Sequence, residues 1–148
     1  MAKPNPRTAA KLHLTRTFAA PREKVFRAWT DPEALKKWFG PVGYATLIAE
    51  VDLEVGGKYR LGMRKLPDGE IFYLRGAYRE VRPPEKLAYT WQWESEPELG
   101  ETLVTVEFHD IGNATEVVVT HELFPTEKAR DDHDKGWNSC LDRLVLAR

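Results

Sequence analysis

Residues 86–94 read KLAYTWQWE, and the alternation in this stretch decides the fold. Leu87, Tyr89, Trp91 and Trp93 fall on one side of an extended chain, and Ala88, Thr90, Gln92 and Glu94 on the other. Successive strand side chains point to opposite faces, so the stretch reads as a strand with an aromatic inner face. The same period of two extends to either side. Tyr59, Leu61 and Met63 share a face opposed by Lys58, Arg60 and Arg64. Val104, Val106 and Phe108 line another strand, and Val117, Val119, His121 and Leu123 face one way on the last, against Glu116, Thr120 and Glu122. Further strands are expected over 13–18, 45–51 and 71–81. Gly56-Gly57, Pro67-Asp68-Gly69 and 110–114 supply turns, and Pro83-Pro84 breaks a strand. Residues 94–101, with four glutamates, read as a solvated hairpin loop.

Outside this block the period changes to that of a helix. Pro21 stands where a first-turn proline is favoured, and Val25, Phe26 and Trp29 follow on one face. Asp31-Pro32 restarts the chain as an N-cap and proline, and Leu35, Trp38 and Phe39 make a second short helix that Gly40-Pro41 ends. Pro125 and Thr126 open a long C-terminal helix, expected to reach about Ala147. Its inner stripe is Ala129, His133, Gly136, Trp137, Cys140, Leu141 and Leu144, with Gly136 permitting close approach to the sheet. The layout is α+β: a curved antiparallel sheet of six or seven strands wrapped around a long C-terminal helix, with two short helices after the first strand. Residues 1–10 read as a loose tail, and 11–148 as a single domain.

Composition narrows the function classes. The 148 residues carry 22 basic and 23 acidic side chains, a net charge of −1. Nucleic-acid binding draws most of its affinity from basic excess, so no nucleic-acid partner is expected. The longest apolar run, 144–147, is far short of the roughly 20 residues of a membrane span. One cysteine, Cys140, allows no intrachain disulfide, which suits a reducing, cytoplasmic setting. Five Trp, five Tyr and six Phe make 11% of the chain aromatic, enough either for an interdigitated core or for an aromatic-lined pocket.

Few residues suggest chemistry. His121 on an inner strand face reads as a hydrogen-bonded core histidine, or as a polar anchor or proton-transfer group. His133 and Cys140 are seven residues apart on one helix, about 10.5 Å in rise, too far for a nucleophilic pair or a shared metal. Approach of His121 to Cys140 from across the interior stays open, although Cys140 reads first as a small buried hydrophobe. Arg60, Arg64, Arg75 and Arg79 read as a solvated outer face, or with one of them turned inward as a partner for a ligand carboxylate. Gly56-Gly57 lacks the Lys-Ser/Thr of a phosphate loop. No nucleotide, metal or haem motif appears, and no cofactor is expected.

A set of short motifs in order carries a family likeness. It comprises WTDPEAL at 29–35, WFGP at 38–41 with Gly43, VGGKYR at 55–60, Met63-Arg64, Pro67-Asp68-Gly69, Gly76 and Tyr78. It continues with VRPPEKL at 81–87, YTW at 89–91, ETLVTVEF at 101–108, Thr120-His121, His133, Gly136-Trp137 and LDRL at 141–144. With these the chain resembles the SRPBCC superfamily, also called START-like or birch-pollen-allergen-like, in the branch of the activator of heat-shock protein 90 ATPase, C-terminal type. The resemblance implies a helix-grip fold with a deep cavity between sheet and C-terminal helix. In that setting Trp38, Met63, Tyr89, Trp91, Trp93, Phe108, His121, His133, Trp137 and Cys140 are the expected lining, and a small hydrophobic or amphipathic molecule the expected ligand. A polyketide cyclase-like enzyme with His121 as its acid/base group, and a co-chaperone module acting on the heat-shock protein 90 homologue, are the rival roles. A homodimer stays open.

Overall fold

The computed structural model describes residues 10–144. The chain runs β1 (Leu12–Phe18), α1 (Arg22–Thr30), α2 (Pro32–Trp38), β2 (Tyr44–Val51), β3 (Lys58–Lys65), β4 (Ile71–Arg82) and β5 (Lys86–Trp93). A 3-10 turn (Pro97–Leu99) follows, then β6 (Thr102–Asp110), β7 (Thr115–Glu122) and α3 (Glu127–Arg143). Of the tail expected at 1–10, only Ala10 is described; it is buried, and its carbonyl accepts from the Phe124 amide. The expected extension of the last helix to Ala147 lies outside the described residues.

The helix boundaries follow local chemistry. Asp31 caps α2 by accepting from the Glu33 amide, with Pro32 at the first helical position. Thr126 caps α3 by accepting from the Ala129 amide. Pro21 is the N-cap of α1, one residue before the first-turn place the sequence suggested.

All seven strands form one antiparallel sheet in the order β1-β7-β6-β5-β4-β3-β2. The consecutive meander leaves β1 and β2 as edges, and α1 and α2 carry the chain between them. Two bulges curl it, one between Thr46 and Ile48 and one between Tyr78 and Glu80. At the first, Leu47 is the extra residue and is 42% exposed, so Thr46 and Ala49 both face inward without strict alternation. The half-barrel closes on α1 and α2 through Val25, Phe26, Trp29, Leu35 and Trp38, and on α3 through Ala129, Trp137, Cys140 and Leu141. This is the helix-grip arrangement.

Three local expectations change. Leu123 does not continue the inner face of β7. The strand ends at Glu122, Leu123 takes a φ of 74°, and this reversal brings Phe124 into the core instead. Glu94 is not a solvated loop carboxylate: its amide extends the ladder to the Tyr73 carbonyl, and its side chain grips Arg60 through two bonds of 2.8 and 2.9 Å. Gly136 is no point of close approach, because a Cβ there would meet nothing within 4 Å.

Candidate functional site

Between the concave face and α3 lies a cavity of about 230 Å³ that is open to solvent. Its floor comes from the inner positions of the central strands. Met63 on β3 stands opposite Phe72 on β4 in register, and Trp91 and Trp93 continue the row on β5. Its roof is α3, which presents Asp132, His133, Gly136, Trp137 and Cys140. The third wall is the turn after α2, with Phe39, Gly40, Pro41 and Tyr44.

That turn is held as a lip. Gly40 has a φ of 103°, a conformation glycine adopts without a Cβ penalty. The Arg143 guanidinium, reaching over from the end of α3, donates to the carbonyls of Gly40 and Tyr44 at 2.8 and 3.0 Å. The Val42 amide donates to Ser139 Oγ, and Thr46 Oγ1 donates to the Phe39 carbonyl. Groups on α3 and β2 thus fix the lip against the mouth of the cavity.

Two imidazoles organise the aromatic wall. His121 is 0% exposed. Trp137 Nε1 can only donate, so His121 Nδ1 at 3.1 Å is an unprotonated acceptor. The ring proton then sits on Nε2 and is donated to Thr102 Oγ1 at 2.7 Å, whose hydroxyl donates to the Trp91 carbonyl. His133 repeats the device in the opposite tautomer. Its Nδ1–H donates to the Ala129 carbonyl at 2.7 Å, and its Nε2 accepts from Trp93 Nε1 at 2.8 Å. Burial holds the pKa of both rings below the ordinary histidine range, and for His121 the neighbouring His133 adds to it. Both imidazoles are neutral clamps for indole rings, with no nitrogen free. Burial pushes the Cys140 thiol up to about 11, so it is protonated; both His121 nitrogens are engaged elsewhere, and no Cys–His pair forms.

Of the ten residues expected to line a cavity, the structure gathers Met63, Trp91, Trp93, His133, Trp137 and Cys140 around this one. The other four are placed elsewhere. Trp38 packs on Trp29 and Phe39 and donates its indole N–H to the Ala28 carbonyl. Phe108 packs edge-on against Phe26 and Trp29. Tyr89 packs edge-on against Tyr59 and Tyr78 at a separate void of about 20 Å³. His121 packs against Trp91 and Phe124, outside the lining. Phe39, Tyr44 and Phe72 line the cavity without having been singled out for it. The facing of Met63 carries a signal for Phe72, its cross-strand partner, but only once the register is known.

The outer face holds a wider depression of about 630 Å³ lined by Glu50, Arg60, Arg75, Gln92, Glu94 and Glu101. Glu94 there pairs with Arg60, whose guanidinium also lies 3.7 Å from the Tyr73 ring centroid, and Glu101 pairs with Arg79 outside the lining. Among the described residues, no three His, Cys, Asp or Glu side chains are grouped to hold a metal ion, and no helix is long and apolar enough to cross a membrane.

The family model described as "Activator of Hsp90 ATPase homolog 1-like protein" matches residues 19–147. The chain belongs to this family. With it comes membership of the SRPBCC superfamily, as the ordered motifs implied. Solved structures agree. Protein CV1439 from Chromobacterium violaceum is 28% identical with a TM-score of 0.81, covering 91% of this chain and 94% of that one. The AHSA1 protein from Silicibacter pomeroyi is 25% identical with a TM-score of 0.81, covering 92% and 95%. An HSP90 activator from Plasmodium falciparum is 27% identical with a TM-score of 0.68, covering 90% and 91%. No curated protein matches the chain. In this family member the aromatic cavity is framed by the very segments that carried the likeness: the 38–41 lip, the 89–91 strand centre and the 136–137 helix pair.

Proposed function

We propose that the protein binds a small hydrophobic molecule in the cavity between sheet and C-terminal helix. The observation that carries this reading is the open space beside Gly136. A helix facing Trp91 and Trp93 places a half-buried glycine at the cavity wall, where a Cβ would touch nothing. Glycine inside a helix is unfavourable by about 0.5–1 kcal/mol relative to alanine, and retaining it keeps the cavity empty of side chain. Around that gap the wall is aromatic and its histidine is fully hydrogen-bonded, which suits apolar contact rather than catalysis.

Gly136→Leu tests this. The new side chain enters open space, so the melting temperature stays level or rises. Naphthalene affinity, followed through tryptophan fluorescence, falls by about tenfold or more, equivalent to about 1.4 kcal/mol. Equal naphthalene binding by both proteins, or none by either, removes the proposal.

A second reading rests on the Plasmodium falciparum relative, which is an HSP90 activator. On that likeness the chain's partner is an ATPase of the same chaperone class. Addition of the protein to the purified chaperone from the same host is expected to raise its ATP hydrolysis rate. A rate unchanged at stoichiometric excess removes this reading and leaves the cavity proposal untouched.

A further inference from the structure

We propose that His133 is a proton switch on the cavity: one proton taken up at its Nε2 breaks the bond from Trp93, frees that indole from the aromatic floor and releases a bound apolar molecule. The proposal rests on the ligand-binding reading and adds its regulation.

The bond that would break joins two walls of the cavity. His133 on α3 and Trp93 on β5 both line the space, and Trp93 Nε1 donates to His133 Nε2 at 2.8 Å. An indole nitrogen can only donate, so this bond exists only while Nε2 carries no proton. Protonation sets two N–H groups against each other, and one ring must give way. The imidazole is the better held. Its Nδ1–H donates to the Ala129 carbonyl at 2.7 Å, and that bond strengthens once the ring is charged. Trp93 is the last residue of β5 and half-buried, and its indole N–H has no other acceptor among the described residues. The ring that yields is therefore Trp93. Its centroid lies 5.6 Å from those of both Phe72 and Trp91, so its departure takes away one side of the floor on which an apolar guest rests.

The groups around His133 set the range in which the switch works. On its own helix, Asp132 favours the charged ring, although it is bonded to Lys128 at 2.9 Å. From the loop after β5, Glu96 also favours it, and Glu98 borders the same side. From β7, His121 stands 5.4 Å away between ring centroids. Burial outweighs the carboxylates and holds His133 below the ordinary histidine range. The ring is thus neutral and the wall whole above about pH 6.5, and both are lost as pH falls through the folded value. His121 faces the same conflict with Trp137, but it is fully buried where His133 is half-buried, so His133 charges first.

Naphthalene has no titratable group, so any pH dependence of its binding belongs to the protein. Its affinity for wild type is expected to be level above about pH 6.5. On further acidification it falls, toward the limit of about tenfold per pH unit that one linked proton allows. In His133→Gln, whose amide does not titrate, that fall is absent. In free wild-type protein the Trp93 indole proton resonance, assigned with Trp93→Phe, moves at the same pH as the His133 ring protons while that of Trp137 stays. This readout does not depend on how the glutamine variant folds. If naphthalene binds equally at pH 8 and pH 5, if the fall persists in His133→Gln, or if the Trp93 resonance ignores the His133 titration, the switch is overturned and the cavity reading stands. If naphthalene binds at neither pH, both fall.

Discussion

His121→Ala is expected to lower the stability of the fold by about 4 kcal/mol. Two mechanisms add. The imidazole fills space between Phe124, at 4.3 Å, and Trp91, at 4.9 Å between ring centroids, and truncating a buried side chain of this size costs about 2–5 kcal/mol. It also strips the acceptor from Trp137 Nε1, and a buried donor left unpaired costs about 1–3 kcal/mol. Urea unfolding measures the sum, and for a domain of this length the melting temperature drops by roughly 10 °C. His121→Phe separates the two mechanisms: it restores volume but not the acceptor, so only the loss of about 1–3 kcal/mol remains. A loss below about 1 kcal/mol in the alanine variant would show that the Trp91–His121–Trp137 cluster repacks freely.

The same residue gives the fold a pH signature. His121 and His133 are both held neutral by burial, with folded pKa values below the roughly 6.5 of an unfolded chain. Below about pH 6.5 the unfolded state binds protons that the folded state refuses. Stability is therefore fully present above that pH and declines as pH falls from it toward the folded values. The slope is at most about 1.4 kcal/mol per pH unit for each ring. In His121→Phe the decline between about pH 6.5 and 5 is expected to shrink toward that of His133 alone. An unchanged slope would mean that His121 is not the group being protonated.

Much of this architecture was readable because it depends on local period. The alternation of Leu87, Tyr89, Trp91 and Trp93 and the stripe through Ala129, Trp137 and Cys140 are properties of single elements; these residues join the core, Trp93 half-buried, although Ala88 and Thr90 on the other face of the strand are buried too. What escaped depends on how elements meet. The reversal at Leu123 exchanges its place with Phe124, and no period announces a non-glycine residue at positive φ. The two Trp–His bonds link α3 to β5 and to β7, so they exist only once the crossing of helix and sheet is fixed. His133 could be placed on the helix's inner face from its spacing to Trp137, but not that it would meet Trp93. The cavity is of the same kind. The place of Gly136 on the inner stripe suggests contact, and its emptiness emerges only when the lip at 39–44 and the floor at Met63 and Phe72 stand around it.

Gly76→Ala shows how far one methyl group can matter when two strands are already in contact. It is expected to cost about 4 kcal/mol or more. A Cβ at this position would lie 1.9 Å from the Thr90 carbonyl oxygen and 2.6 Å from Tyr59 Cε2. The first of these is backbone and has no rotamer into which to retreat. The β4–β5 ladder is specialised here: Arg75 pairs with Gln92 and Tyr78 with Tyr89, but between them the Ala77 amide donates to Thr90 Oγ1. The freed Thr90 carbonyl accepts from the Tyr59 hydroxyl at 2.6 Å, across the space that glycine leaves. An added methyl group must drive β4 away from β5 and break that buried bond. Overpacking costs about 1–3 kcal/mol, occasionally more, and loss of the bond about 1–3 kcal/mol. The control is the same substitution at Gly136, where the methyl meets open space in a helix and should add about 0.5–1 kcal/mol. Chemical denaturation of the two variants side by side reads opposite signs from one chemical change. Equal effects at both positions would mean that the strands yield at Gly76 without losing the Tyr59–Thr90 bond.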